Sequence, residues 1–75
     1  MGQVLQHVEQ PVAEWIERVR AEYIEMPGLA LTAQQMRRLW RIDAALCDAV
    51  LTSLVASGFL WRRPDARYAR VFDHT

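Results

Sequence analysis

Arginine is the residue type of this chain best suited to bind another molecule. The 75-residue sequence has nine arginines, no lysine and nine acidic residues, so its formal net charge is zero. Residues 1–28 hold two arginines and five glutamates, whereas residues 29–75 hold seven arginines and four aspartates. A planar guanidinium suits phosphate and carboxylate groups. The basic part could therefore bind nucleic acid or an acidic protein surface, or it could simply attract the acidic part, within one chain or across a dimer.

The remaining reactive side chains point away from catalysis and metal binding. His7 and His74 lie near opposite ends of the chain, with no cysteine or carboxylate at a spacing typical of a metal site. Cys47 falls on an apolar helical stripe, so we expect a buried structural thiol and not a nucleophile. The sequence has no glycine-rich phosphate loop, nucleophile elbow or evident acid–base pair. We expect no enzymatic activity, no cofactor and no metal.

One small domain must position these side chains. Hydrophobic residues make up 52% of the chain and charged residues 24%, a balance typical of a globular fold. A single cysteine cannot form an internal disulfide. The first residues have neither a basic start nor a long apolar run. We therefore expect a cytoplasmic protein with no membrane partner.

Hydrophobic periodicity predicts a first helix that begins at Pro11 and ends at Pro27-Gly28, because proline suits the first turn of a helix. Residues 1–10 are expected either to extend this helix or to form an N-terminal arm. The apolar stripe of the helix comprises Val12, Trp15, Ile16, Val19, Tyr23 and Met26.

Capping signals delimit two further helices. Thr32 and Gln35 have the capping-box spacing at the start of a short second helix, and Asp43 can cap the start of a third. Gly58 is placed to end the third helix. The inward-facing residues are expected to be Met36, Leu39 and Trp40 in the second helix, and Leu46, Cys47, Val50, Leu51, Leu54 and Val55 in the third.

Strand patterns follow the third helix. Residues 59–63 and 67–71 flank Pro64-Asp65-Ala66, which predicts a two-stranded hairpin, and residues 29–31 predict a brief strand before the second helix. The expected fold is mainly α with a small β-hairpin.

Three motifs, LTxxQxxRLxxID at residues 31–43, LCxxVLxxLVxxGFL at 46–60 and RxDxRY at 63–68, resemble bacterial winged helix-turn-helix DNA-binding domains. The resemblance does not select one regulator family. It implies a three-helix winged helix domain over residues 11–72, followed by a tail at 73–75. It also implies that the third helix is the recognition helix and that the wing lies along the DNA backbone. Arg41 stands in the turn where such domains often have glycine.

The outward face of the third helix is poorly equipped to read bases. Its residues include no Arg, Lys, Asn or Gln, and Asp48 would repel phosphates. We therefore expect weak sequence readout, with contacts chiefly to phosphates. This face comprises Ala44, Ala45, Asp48, Ala49, Thr52, Ser53 and Ala56. The predicted nucleic-acid-binding residues are Arg37, Arg38, Arg41, Thr52, Ser53, Arg62, Arg63 and Arg67.

A chain this small gains stability by sharing apolar surface with a second copy. We expect a homodimer formed through the first helix, at Val12, Trp15, Ile16 and Val19. Trp40 is expected in the core, and Trp15 and Trp61 are expected to be partly exposed. Two functions remain open: transcription-associated DNA binding with weak sequence readout, or a protein–protein interaction or dimerisation module that binds no DNA.

Overall fold

The computed structural model describes the backbone of residues 3–72 and the side chains of residues 12–72. It contains three α-helices and three short β-strands, which confirms the prediction of a mainly helical fold with a small sheet. None of the helices described here combines the length and the hydrophobicity that a membrane-spanning segment needs. In chain order the elements are α1 (Gln3–Glu25), β1 (Ala30–Thr32), α2 (Ala33–Trp40), α3 (Ala44–Ala56), β2 (Leu60–Arg62) and β3 (Arg67–Arg70).

Helix α1 begins at Gln3, so residues 3–10 extend the helix, which is one of the two alternatives left open for them, and Pro11 lies inside the helix and not at its start. An interior proline removes one backbone hydrogen bond. A helix of 23 residues retains many others, so it can accommodate that local loss. The helix ends as predicted before Pro27, and Leu29 N donates to Met26 O at 2.9 Å in the turn that follows. The expected tail at residues 73–75 lies outside the described residues.

Both predicted helix caps are present. Thr32 Oγ1 accepts from Gln35 N at 3.1 Å while Thr32 N donates to Gln35 Oε1 at 2.9 Å, so α2 begins with a complete capping box. Asp43 Oδ1 accepts from Leu46 N at 2.7 Å at the start of α3. Arg41, between the two helices, has left-handed backbone angles of φ 55° and ψ 47°. The turn therefore keeps the left-handed geometry that glycine favours, but with a side chain in place.

The sheet has three antiparallel strands in the order β1-β3-β2, whereas the sequence predicted a hairpin of two strands. The extra pairing is between β1 and β3, with Ala30 opposite Ala69 and Thr32 opposite Arg67. The residues of β1 were expected to form a brief strand, but their partner lies too far away in sequence to be read from local patterns. This pairing ties the start of α2 to the hairpin.

The core forms where α1, α2, α3 and the sheet meet. Tyr23 is completely buried, and its hydroxyl donates to Tyr68 O at 2.6 Å, which links α1 to β3. The buried apolar residues are Val19, Tyr23, Met36, Ile42, Cys47, Val50, Leu51, Leu54 and Leu60.

Three residues predicted to face inward are exposed instead. Leu39 is 60% exposed, because Met36 and Trp40 already turn toward the core and the short α2 has only one inward side. Met26 follows the end of α1, so the helical stripe no longer directs its side chain. Val55 lies at the margin of the α3 stripe, beside a groove.

Candidate nucleic-acid interface

A groove of about 370 Å³ runs between α3 and the β2–β3 hairpin. Its α3 wall presents Asp48 and Thr52 beside apolar residues, and its hairpin wall presents Arg62 and Tyr68. Helix α3 and the hairpin can form this groove because Gly58, with φ 82°, allows the sharp exit from the helix. The remaining lining residues are Leu51, Val55 and Ala56.

The outer face of α3 carries few groups that can recognise a base. Thr52 and Ser53, both predicted to contact nucleic acid, are exposed, and their hydroxyls can each reach a phosphate or a base edge. Asp48 is exposed on the same face and adds a negative charge to it. The other outward residues are Ala44, Ala45 and Ala56, while Ala49 is half-buried. The face therefore offers shape and methyl groups, but no bidentate donor or acceptor for adenine or guanine.

Asp65 holds two of the predicted phosphate-binding arginines at the tip of the hairpin. Its Oδ2 lies 3.1 Å from Arg63 Nη2 and 3.8 Å from Arg67 Nε. Arg67 Nη1 also donates to Ala30 O at 3.2 Å, so this guanidinium rests on the neighbouring strand. The charge at the hairpin tip is therefore partly neutralised. The spacing Arg-x-Asp-x-Arg within a turn is the sequence signal for this arrangement, but no ion pair was predicted from it.

The other predicted arginines lie on α2, after it, and on β2. Arg38, Arg41 and Arg62 are exposed, and Arg37 is half-buried. Among the side chains of residues 12–72, no carboxylate lies within 4.0 Å of these four guanidinium groups. Their positive charge is therefore free to attract a phosphate or a carboxylate.

Cys47 is buried in the core, as predicted, and its thiol lies 3.7 Å from Ala33 O, to which it donates a weak hydrogen bond. Burial raises the pKa of this thiol, and the nearby Arg37 opposes the effect only in part. A thiol with a raised pKa stays protonated at neutral pH and is a poor nucleophile. Within the described range, no group of three His, Cys, Asp or Glu side chains is placed to hold a metal ion.

The predicted dimer residues have different environments. Val19 is 1% exposed and belongs to the core of its own chain, so its assignment to a dimer interface is corrected. Trp15 is half-buried, with its ring centroid 6.4 Å from that of Trp40 and the Arg18 guanidinium 4.6 Å from its own centroid. Val12 and Ile16 are also half-buried. The expected partial exposure of Trp15 is confirmed.

The acidic and basic parts of the chain do not form ion pairs with each other in the range where side chains are described. Glu14, Glu17, Glu22 and Glu25 of α1 have no arginine nitrogen within 4.0 Å. Among residues 12–72, direct pairing therefore does not explain the uneven charge distribution, and the described α1 carboxylates and the basic groups near α3 both remain available to partners. The chain matches no protein-family model and has no significant match among curated proteins or solved structures.

Proposed function

We propose that this chain is a winged helix-turn-helix domain that binds duplex DNA chiefly through its phosphates. In this proposal α3 is the recognition helix and the β2–β3 hairpin is the wing. Three features support it: the capped helices α2 and α3 are joined by a short turn, α3 leads directly into an antiparallel hairpin, and a groove separates the two.

The observation that carries the proposal is the availability of exposed arginines shortly before and shortly after α3 in the chain. Arg38 and Arg41 precede this helix, Arg62 follows it, and none has a carboxylate within 4.0 Å among the described side chains. Charge-assisted contacts from a guanidinium to phosphate oxygens are strong and need no particular base sequence. Thr52 and Ser53 would add hydroxyl contacts from α3.

Salt-titrated binding to a duplex of random sequence tests this proposal. The slope of log affinity against log salt should be close to −0.9 for each phosphate neutralised. A chain carrying Arg38→Gln, Arg41→Gln and Arg62→Gln together should show a slope flatter by up to about 0.9 for each arginine removed. Arg18→Gln on α1 is the control for a simple loss of positive charge, and it should leave the slope nearly unchanged.

A protein–protein interaction module without DNA binding is the second candidate. It is favoured by the alanine-rich outer face of α3 together with the exposed side chains of Leu39 and Val55. Small apolar side chains allow another helix to approach closely, whereas DNA recognition gains little from them. Absence of duplex binding even at low salt would favour this candidate over the first.

We also propose that the chain forms a homodimer through α1, with Trp15 as the central contact. The half-buried side chains of Val12, Trp15 and Ile16 lie on one helical stripe and keep part of their apolar surface accessible. Sedimentation equilibrium should show a dimer that Trp15→Ala weakens and that Trp61→Ala, in the hairpin, leaves intact. A monomer at high micromolar concentration would contradict the dimer without affecting the DNA-binding proposal.

A further inference from the structure

Two arginines from distant parts of the chain lie against one aromatic ring. The guanidinium carbon of Arg20, on α1, is 4.9 Å from the centroid of Phe59, and that of Arg70, on β3, is 4.6 Å from the same centroid. Arg70 also lies 5.3 Å from the centroid of Phe72. Cation–π attraction offsets part of the cost of placing two like charges near each other, but it does not neutralise them.

The described residues supply no counter-charge to this cluster. Across residues 12–72, neither Arg20 nor Arg70 has a carboxylate within 4.0 Å. The Nε of Arg70 is buried and has no hydrogen-bond partner in that range. A buried donor that belongs to a charged group is costly to leave unpaired, and an anion beside the same guanidinium would offset part of that cost through its opposite charge.

An open surface pocket of about 510 Å³ lies beside Arg70 and is lined mainly by apolar side chains. Trp61 and Phe72 line it together with Val71, and the two aromatic side chains are 47% and 48% exposed. Small-molecule sites commonly combine apolar and aromatic walls with a few polar groups that fix the orientation of the ligand. Here the polar group is a guanidinium, which selects for an anion.

We propose that this pocket binds a small aromatic carboxylate. The carboxylate accepts hydrogen bonds from Arg70, the positive charge of Arg20 strengthens the attraction, and the aromatic ring of the ligand lies against Trp61 and Phe72. The site shares none of its residues with those proposed to contact DNA phosphates, so it goes beyond that function and can be tested separately. An anionic effector could thereby bind the domain while the groove beside α3 remains open.

Titration of the full chain with benzoate and with benzamide tests the site without any mutation. The two molecules have nearly the same shape, but only benzoate is charged, so benzoate should bind at least about tenfold more tightly if Arg70 holds the carboxylate. Binding should change the tryptophan fluorescence, and Trp61→Phe should remove that change. Acetate, which lacks the ring, should bind more weakly than benzoate.

Arginine substitutions then test whether Arg70 is the residue that contacts the carboxylate. Arg70→Gln should weaken benzoate binding by about ten- to a hundredfold and leave benzamide binding unchanged. Arg20→Gln should weaken benzoate binding less, and Arg38→Gln, which removes the same charge from α2, should have no effect. Circular dichroism establishes that each variant is folded, and Arg70→Lys replaces Arg70→Gln if the latter unfolds.

Three results would overturn the proposal. Equal affinity for benzoate and benzamide would show that no cation selects the ligand, and equal effects of Arg38→Gln and Arg70→Gln would show that net charge alone is responsible. A tenfold gain in benzoate affinity for Asp73→Asn would show that the chain's own tail, and not an external ligand, is the natural occupant of the cluster.

Discussion

The left-handed backbone of Arg41 is a local strain that the turn between α2 and α3 imposes. With φ 55° and ψ 47°, its Cβ approaches the following carbonyl group, which costs roughly 1–2 kcal/mol for any residue except glycine. The sequence alone showed that Arg41 occupies a turn, but whether the turn is left-handed depends on how α2 and α3 pack. The backbone N–H of Arg41 donates to Arg37 O and closes the end of α2, which fixes this geometry.

Arg41→Gly should therefore stabilise the fold. Relief of roughly 1–2 kcal/mol of left-handed strain outweighs the roughly 0.5–1 kcal/mol of chain entropy that glycine costs, so the net gain should be up to about 1.5 kcal/mol. Urea denaturation measures it. Arg38→Gly, which places glycine inside α2, is the matched control and should destabilise by about 1 kcal/mol. Destabilisation by both variants would show that the Arg41 side chain contributes more than its backbone strain costs.

The buried hydroxyl of Tyr23 should make the fold less stable at alkaline pH. Burial raises the pKa of Tyr23 to about 12, from the ordinary value of 10.0 for a free tyrosine side chain. The unfolded chain releases the Tyr23 hydroxyl proton at a lower pH than the folded chain does. The contribution of Tyr23 to the free energy of unfolding is therefore fully present below pH 10, decreases as the pH rises toward 12, and then levels off. Thermal melts of Tyr23→Phe and of the unmodified protein at neutral and alkaline pH should show a smaller alkaline loss in the variant. An equal loss in both would exclude Tyr23 as the cause.

Helix α2 shows what periodicity can and cannot predict for an element. Its start was predictable, because the capping box depends only on two residues three positions apart. Its inward face was predicted only in part, since Leu39 and Trp40 both fit the apolar pattern but only Trp40 packs against the core. In a helix of eight residues, the surrounding elements and not the pattern decide which of two adjacent side chains is buried.

Two leucine substitutions compare a buried position with an exposed one, although both fit the apolar pattern of their helices. Leu54, on α3, is 1% exposed, so Leu54→Ala should destabilise the fold by about 2–5 kcal/mol through lost burial and a new cavity. Leu39→Ala makes the same chemical change at an exposed helical position and should cost no more than about 0.5 kcal/mol. Chemical denaturation of both variants provides the comparison. A large effect at Leu39 would mean that a second chain buries this side chain in solution.

The arrangement of the whole molecule depends on contacts that no local pattern contains. The pairing of β1 with β3 joins residues from the middle and the end of the chain. The hydrogen bond from the Tyr23 hydroxyl to Tyr68 O joins α1 to the same strand. These contacts also place the guanidinium groups of Arg20 and Arg70 against the ring of Phe59, and they let the guanidinium of Arg67 donate to Ala30 O. The sequence predicted which residue types were available for binding, but their grouping into a groove, a hairpin tip and a separate arginine cluster required the tertiary structure.

Asp65 should act as an internal competitor for DNA. Its carboxylate lies 3.1 Å from Arg63 and 3.8 Å from Arg67, so a phosphate must replace it before either arginine contributes fully. Asp65→Asn removes the charge, while its side-chain oxygen can still accept from Arg67 N, as Asp65 Oδ1 does at 3.1 Å, so the turn should persist. Affinity for a random duplex should therefore rise at low salt, and the salt slope should steepen by up to about 0.9 for each arginine released.

Glu17→Gln, which removes the same charge from α1, controls for net charge and should change the slope little. If both variants raise affinity equally, long-range charge is responsible; if neither does, the hairpin tip does not contact the phosphates, and Arg38, Arg41 and Arg62 must supply the contacts without it.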